Sequence, residues 1–183
     1  MDKFQNKYRI PSARLQNWNY GSQGLYFITV CTKNREHYFG KISNDEMTLN
    51  ELGFFVQSEW IKSPEIRPDM NLELGEFVVM PNHFHGIMII GENEFNCDGR
   101  DAMHRVSTQP TPANKFSPQS KNLGSIMRGF KSSVTTHSKI LNIEFGWQAR
   151  YHDHIIRSHD EFVRISNYIL TNPGNWKDDK FFN

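Results

Sequence analysis

Residues Glu76–Ile90 read E-F-V-V-M-P-N-H-F-H-G-I-M-I-I. The two apolar runs predict two strands, and the Pro81–Asn82 break between them is too short for a parallel crossover, so we expect an antiparallel pair. Alternate side chains of a strand share a face, so His83 and His85 should point the same way while Phe84 points into the opposite layer. Neutral histidine is a common metal ligand, and the pair therefore predicts a divalent-metal site. The alternative is two hydrogen-bonded polar residues at a strand end.

Further strands and helices are predicted on both sides of this stretch. Aromatic and β-branched runs predict strands at Gly24–Cys31 and Leu72–Met80, a short strand or bulge within His37–Ile42, and an extended segment at Trp147–Arg157. Helical spacing and capping residues predict helices over Glu51–Lys62 (capped by Asn50), from Asn122 onward, and from the S-x-x-E capping box at Ser158 to about Asn172.

The length of 183 residues suits a single domain, 1–183. Residues 92–121 are dominated by Asn, Asp, Gly, Ser, Thr, Gln and Pro and show no periodic apolar face. Such a composition buries too little apolar surface to offset the entropy of ordering, so we expect a flexible connection within the domain.

Composition and termini exclude several classes of protein. No apolar stretch approaches the roughly twenty residues that a membrane span needs, and the N-terminus has no apolar core of a secretory signal. The two cysteines, Cys31 and Cys97, lack metal-ligand spacing and are expected to be free thiols. Free thiols are typical of a reducing cytoplasm, so we expect a cytoplasmic protein.

The net charge of +1 hides two basic regions. The first 37 residues carry Lys and Arg at six positions against Asp2 and Glu36, and residues 121–157 carry six against Glu144 and Asp153. Phosphate binding depends on such local concentrations of positive charge. Scattered solvated side chains are the alternative on charge alone.

The last predicted helix carries Tyr168 and Asn172, which lie four residues apart and therefore on the same flank. A tyrosine phenolate beside a metal can attack a DNA phosphodiester and hold the cut end covalently. An asparagine amide oxygen can be a third ligand for a hard cation such as Mg²⁺. Taken alone, the two residues also fit a half-buried aromatic and an ordinary helix terminus.

The ordered set of these motifs resembles the HUH single-tyrosine transposases, and specifically the REP-associated tyrosine transposases of bacteria. The matching stretches are Arg14–Tyr20 (R-L-Q-N-W-N-Y), Gly24–Thr32, Val78–Ile90, Trp147–Arg157 (W-Q-A-R-Y-H-D-H-I-I-R) and Asn167–Pro173 (N-Y-I-L-T-N-P). The resemblance covers nearly the whole chain apart from residues 91–121. It is the combination with W-Q-x-R and Y-x-x-x-N-P that makes the otherwise weak H-x-H motif informative.

The resemblance implies an α+β, ferredoxin-like HUH domain with helices on one face of a central antiparallel sheet. It implies a metal-dependent single-strand DNA endonuclease and strand transferase that acts on hairpin-containing DNA through a 5′-phosphotyrosine intermediate. His83 and His85 would bind Mg²⁺ or Mn²⁺, Asn172 would be the third ligand, and Tyr168 would be the nucleophile. Relatives of this kind include monomers and homodimers, and the resemblance implies a bacterial protein that associates with the nucleoid.

Alternatives stay open at several positions. Tyr151 is a competing nucleophile, and His152 and His154 share a strand face and could ligate a metal. The predicted DNA contacts are Arg128, Lys131, Arg150 and Arg157, with His154 as an auxiliary residue. Two rival functions are a regulator of the same fold that binds hairpins without chemistry, and an unrelated hydrolase whose metal is held by four histidines.

Overall fold

The computed structural model describes residues 18–97 and 120–182. Within these ranges the chain forms six strands, β1 Gly24–Cys31, β2 Gly40–Ser43, β3 Glu46–Leu49, β4 Leu72–Met80, β5 His83–Ile90 and β6 His152–Ile156. It also forms four α-helices, α1 Glu51–Ile61, α2 Ser63–Ile66, α3 Leu123–Ile140 and α4 His159–Thr171. No helix in the described ranges is long and apolar enough to cross a bilayer.

Four strands form the central sheet in the order β4-β5-β1-β6, and all neighbouring strands are antiparallel. Helix α1 separates β1 from β4 along the chain, and α3 separates β5 from β6. This βαββαβ sequence with its strand order is the ferredoxin-like arrangement. The predicted α+β fold with a central antiparallel sheet is therefore confirmed.

Helices cover both faces of the sheet. On one face, Phe84 of β5 packs against Trp60 of α1 and Phe130 of α3, with ring centroids 4.7 and 5.5 Å apart. On the other face, Ile169 of α4 packs against Ile87 of β5 in a second apolar cluster. The expectation of helices on one face of the sheet is therefore wrong. Helix α4 buries its apolar stripe against the face opposite α1 and α3.

Most predicted boundaries are confirmed, and the capping residues explain them. The Asn50 side chain accepts a hydrogen bond from Gly53 N (2.9 Å) at the start of α1, and Asn122 forms a reciprocal capping box with Ser125 at the start of α3. The predicted box at α4 is half formed. Ser158 accepts from Glu161 N, but the Glu161 carboxylate accepts from Arg157 N (2.9 Å) instead.

Two predicted segments differ from the structure. The segment expected within His37–Ile42 is the first strand of a small hairpin, β2–β3, which turns at Asn44 and Asp45 with φ of 53° and 62°. Residues 147–151, predicted as extended with β6, lie outside that strand, and only Trp147 makes an isolated bridge with Thr32. The strand is short because only residues 152–156 pair with β1.

The two ends of the predicted connection, residues 92–97 and 120–121, lie close together. Residues 98–119 of the connection, and residues 14–17 of the first matching stretch, lie outside the described residues. The amide nitrogen of Asn93 donates to Met70 O (3.1 Å) and Gly91 O (3.0 Å). The Lys121 ammonium lies 4.7 Å from the Phe95 ring centroid, on the other side of the gap. Residues 92–97, the first part of the predicted connection, are therefore held to the domain by hydrogen bonds.

We expect that replacing residues 98–119 by a short Gly-Ser bridge leaves the domain folded. The free energy of loop closure changes by only about 0.6 kcal/mol per doubling of loop length, and the retained ends already lie near each other. Thermal unfolding of the two proteins measures this. A melting temperature lowered by many degrees would mean that the deleted segment packs on the domain, and unchanged stability with lost hairpin binding would make it a recognition segment.

Candidate metal and tyrosine site

His83 and His85 lie at the start of β5 and project to the face that α4 covers. Both side chains are buried, with 0% and 1% exposure, and their ring centroids are 4.5 Å apart. Register places His83 opposite Cys31 and His85 opposite Thr29 of β1. The strand alternation predicted from the sequence thus brings the two imidazoles side by side.

The His83 ring has one satisfied nitrogen and one unsatisfied nitrogen. Its Nδ1 lies 2.9 Å from the amide oxygen of Asn82, which must accept because the Asn82 amide nitrogen donates to two carbonyls. Nδ1 therefore carries the proton and Nε2 carries a lone pair. That Nε2 is buried and has no hydrogen-bond partner among the described residues.

The His85 ring is held in a similar way. Its Nδ1 lies 2.8 Å from Thr29 Oγ1 on the neighbouring strand, which leaves Nε2 directed at the hydroxyl of Tyr168, 3.1 Å away. Metal-binding histidines usually have one nitrogen engaged by such an outer partner and the other facing the ion. The His83 ring has this arrangement, and the His85 ring has it in the tautomer that carries its proton on Nδ1.

Tyr168 projects from α4 into the site while remaining 37% exposed. Its hydroxyl donates to Asp179 Oδ2 (3.2 Å), and its ring packs edge-on against Phe27 of β1 (centroids 6.2 Å apart). Burial, followed by the negative charge and hydrogen bond of Asp179, raises the pKa of the Tyr168 hydroxyl well above its usual value. The resting tyrosine is therefore a neutral phenol with an acceptor at hydrogen-bond distance.

Asn172 ends α4 one turn after Tyr168 and is buried, with 1% exposure. Its amide nitrogen donates to Asp179 Oδ2 (2.8 Å), whereas its amide oxygen is buried and has no partner within residues 18–97 and 120–182. Asp179 also accepts from Phe181 N through Oδ1 (2.6 Å), so both of its oxygens are engaged. The last helix and the segment after it thus close the site.

The donor set fits a divalent metal ion. Ligand atoms of His83, His85 and Asp179 all lie within 4.8 Å of one another. Two buried atoms of the site, His83 Nε2 and Asn172 Oδ1, have no hydrogen-bond partner in the part of the chain that the structure describes, which costs about 1–3 kcal/mol each unless a ligand satisfies them. Imidazole nitrogen with carboxylate or amide oxygen is a ligand combination that divalent cations accept.

The surroundings hold both imidazoles in the neutral form that metal binding requires. Burial, with smaller contributions from the positive charges of Lys180 and Arg35, lowers the pKa of His83 to about 3. Burial and the neighbouring His83 lower the pKa of His85 well below its usual value. A metal-competent pair is therefore present throughout the neutral range.

This lowered pKa predicts an acid-sensitive fold. Because His83 is protonated near pH 6.5 when unfolded but only near pH 3 when folded, the free energy of unfolding should fall as pH drops between these values. At pH 5 this difference lowers the free energy of unfolding by about 2 kcal/mol relative to neutral pH. Urea unfolding in EDTA from pH 8 to pH 5 should show a weaker pH dependence in His83→Gln than in the wild type, and equal dependences would contradict this assignment.

The alternative site residues lie elsewhere. Tyr151 packs against the core cluster on the α1 and α3 side, away from the histidine pair. His152 and His154 face the same side as His85, but β1 lies between the strands, and two strand spacings of about 4.8 Å separate them from it. His154 Nε2 instead pairs with Glu161 (2.7 Å). A single ion held by four histidines is incompatible with this spacing.

The predicted DNA contacts are spread over the molecule. Arg128 and Lys131 lie on α3, on the sheet face opposite the histidines, and Lys131 Nζ donates to Gln148 O (2.6 Å). Arg150 and Arg157 are exposed on either side of β6. The structure thus gathers none of these four cations around the histidine pair.

Three site residues were missed by sequence reasoning. Arg35 and Lys180 are the cations that act on His83, and Arg35 Nη1 donates to Lys180 O (2.9 Å). Asp179 is the third missed residue. The available signals were the basic character of the first 37 residues and the Asp178–Lys180 charges after Pro173 and Gly174. Neither signal specifies proximity to the histidines.

The fold and the site together define a ferredoxin-like domain with a buried histidine pair beside a helix-borne tyrosine. No family model matches the chain. Over 175 residues the chain is 38% identical to an uncharacterized protein of Haemophilus influenzae, and the alignment covers 93% of this chain and 92% of that protein. The chain belongs to the same family as that protein.

Among solved structures, the chain is similar to a REP-associated tyrosine transposase bound to a REP hairpin. The TM-score is 0.52 at 21% sequence identity, and the superposition covers 91% of this chain and 76% of the other. At this identity the likeness shows a shared fold, the transposase-like fold expected from the motifs.

Proposed function

We propose that this protein is a metal-dependent endonuclease and strand transferase that nicks and rejoins single-stranded DNA next to a hairpin. The observation that carries the proposal is the Tyr168 hydroxyl, 3.1 Å from His85 Nε2 and beside the unsatisfied His83 Nε2. A nucleophile, a proton acceptor and metal ligands within one site are what phosphodiester cleavage through a covalent intermediate requires.

His83 and His85 would hold the ion through their Nε2 atoms, with the unsatisfied amide oxygen of Asn172 as the third ligand. Bound Mg²⁺ or Mn²⁺ would supply Lewis-acid polarisation of the scissile phosphate. Asp179 is close enough to be an oxygen ligand, but both of its oxygens already accept hydrogen bonds from the protein. We assign Asn172 to the metal because its oxygen has no partner among the described residues, and Asp179 to the tyrosine because it accepts from the Tyr168 hydroxyl.

In the proposed reaction the Tyr168 oxygen attacks the scissile phosphorus. The new bond joins Tyr168 Oη to phosphorus, and the bond from phosphorus to the 3′-oxygen breaks, which leaves a 5′-phosphotyrosine and a 3′-alkoxide that takes up a proton. The phenol proton passes to Asp179 Oδ2, its acceptor at 3.2 Å. Reversal by a 3′-hydroxyl rejoins the strand, and no ATP is needed because the tyrosyl ester retains the bond energy.

Positive charge near this site favours an anionic substrate. Arg35 and Lys180 act electrostatically on His83 and are suited to contact the phosphates that flank the cleavage point. The five residues predicted from the sequence (Arg128, Lys131, Arg150, His154 and Arg157) remain proposed contacts with the rest of the DNA. A folded hairpin with a short single-stranded flank is the proposed substrate.

The two oxygen-bearing residues should be separable by mutation. We expect Asn172→Ala to weaken Mn²⁺ binding about 10-fold or more, because it removes a ligand, and Asp179→Asn to slow cleavage while leaving Mn²⁺ binding largely intact. Calorimetric titration with Mn²⁺ and single-turnover cleavage measure the two effects. Lost Mn²⁺ binding in Asp179→Asn with retained binding in Asn172→Ala would exchange the two roles.

The proposed function is tested by incubating the protein with hairpin oligonucleotides and Mn²⁺ and scoring a covalent protein–DNA adduct. A regulator that only binds hairpins and a hydrolase that uses water both leave the protein unmodified. Hairpin binding without an adduct, in the presence of Mn²⁺, would favour the regulator.

A further inference from the structure

Asn82, in the tight turn between β4 and β5, is a fully buried polar residue beside the site. Its side chain hydrogen-bonds three separate segments: the oxygen accepts from His83 Nδ1 (2.9 Å), and the nitrogen donates to Arg35 O (3.1 Å) and Phe181 O (2.9 Å). We propose that Asn82 is the positioning residue of the metal site, fixing the His83 imidazole and joining the two segments that border it. This inference rests on the proposed function for the metal itself.

The first role concerns the tautomer of His83. Because both amide hydrogens of Asn82 are donated to carbonyls, its oxygen can only accept, so His83 Nδ1 must donate to it and Nε2 must carry the lone pair. An acceptor on Nδ1 also fixes the orientation of the ring and makes Nε2 a better ligand. Without that acceptor the proton could move to Nε2 and block ligation.

The second role concerns the segment that carries Arg35. Asn34 and Arg35 both have positive φ, 56° and 57°, a conformation that non-glycine residues adopt only when their surroundings hold it. Asn82 holds this turn through two of its atoms. Its backbone oxygen accepts from Thr32 N (2.9 Å), and its side-chain nitrogen donates to Arg35 O. Asn82 thereby holds the Arg35 backbone next to the histidine.

The third role concerns the segment after α4. Phe181 accepts from Asn82 through its carbonyl and donates to Asp179 Oδ1 (2.6 Å) through its amide, while its ring lies 4.6 Å from the His83 ring. Asn82, which orients His83, is thus hydrogen-bonded to Phe181, which in turn orients the Asp179 carboxylate. The Asn82 side-chain amide therefore sets the relative positions of the metal ligand His83, the positively charged Arg35 and the proton acceptor Asp179.

A buried asparagine that merely stabilises the fold would make a similar number of hydrogen bonds, and the chain offers such a residue. Asn93 is 9% exposed and lies beyond the far end of β5. Its amide nitrogen donates to Met70 O and Gly91 O, and its oxygen accepts from Phe95 N (3.0 Å). Asn93→Ala is therefore a control with matched burial and hydrogen bonding but without contact with the histidines.

The experiment titrates Mn²⁺ into the wild type, Asn82→Ala, Asn82→Asp and Asn93→Ala, and measures melting temperatures in EDTA. We expect Asn82→Ala to weaken Mn²⁺ binding about 10- to 100-fold, as loss of such an outer partner does, and Asn93→Ala to lower the melting temperature while keeping wild-type affinity. Asn82→Asp keeps the oxygen that faces His83 and loses both donors, so its affinity should exceed that of Asn82→Ala.

Wild-type affinity in Asn82→Ala, or equal weakening in Asn93→Ala, would overturn the positioning role while leaving the metal site itself standing. Mn²⁺ binding as weak in Asn82→Asp as in Asn82→Ala would overturn the role of the Asn82 oxygen on His83. If the alanine variant fails to fold, Asn82→Asp takes its place in the comparison with the wild type and Asn93→Ala. A wild-type protein that binds no Mn²⁺ would instead overturn the proposed metal site, and the role of Asn82 with it.

Discussion

Replacing Tyr168 by phenylalanine is expected to lower the rate of single-strand cleavage by about 10³-fold or more and to abolish the covalent adduct. The change removes the hydroxyl that lies 3.1 Å from His85 Nε2 and 3.2 Å from Asp179 Oδ2, and it keeps the ring that packs on Phe27. Only about 1 kcal/mol of unfolding free energy should be lost. Hairpin binding, measured by fluorescence anisotropy, should be nearly unchanged.

Tyr151→Phe is the matched control, because Tyr151 is the competing candidate nucleophile and packs on the opposite side of the sheet. It should cleave and form the adduct at close to the wild-type rate. An adduct that persists in Tyr168→Phe and disappears in Tyr151→Phe would show that Tyr151, and not Tyr168, is the nucleophile.

Removing either imidazole, by His83→Ala or His85→Ala, is expected to abolish cleavage that depends on divalent ions. EDTA should do the same to the wild type, with Mg²⁺ or Mn²⁺ restoring activity. Strand alternation leaves Phe84 to anchor the opposite face of β5, so we expect both variants to remain folded. Both rings are fully buried, however, and His83 contacts Phe181, so each alanine variant should also lose a few kcal/mol of stability through the cavity it creates.

Loss of stability and loss of metal are separated by Ile87→Ala, which truncates a buried side chain on the same face of the same strand. This variant should be destabilised by about 2–5 kcal/mol yet retain EDTA-sensitive cleavage below its melting temperature. Full cleavage by the wild type in EDTA, or by both histidine variants, would make the imidazoles structural and remove the metal from the mechanism.

Local rules were sufficient for the parts of the site that lie within one element. Strand alternation placed His83 and His85 on one face, and the four-residue spacing placed Tyr168 and Asn172 on one flank of α4. In the small hairpin β2–β3, the first strand was predicted but the turn and the second strand were missed, although the Asn44–Asp45 pair has the residue types that tolerate positive φ. Its strands are short and half exposed, so their periodicity is weak.

Contacts between distant segments could not be predicted in this way. Asp179 reaches the site because the chain reverses after Pro173 and Gly174 and packs Phe181 against both histidines. Arg35 reaches it through a turn with two residues of positive φ, held by Asn82. Neither path leaves a periodic pattern in the sequence, because each is fixed by a few long-range hydrogen bonds.

The central claim is that Tyr168 becomes linked to the 5′-phosphate of the DNA fragment downstream of the break, and mass spectrometry tests it most directly. The protein is incubated with Mn²⁺ and hairpin oligonucleotides whose upstream and downstream flanks differ in mass, then digested for peptide mapping. We predict a mass increase equal to the fragment downstream of the break, carried on the peptide that contains Tyr168. An adduct with the upstream fragment, an adduct on another residue, or cut DNA with unmodified protein would contradict the account.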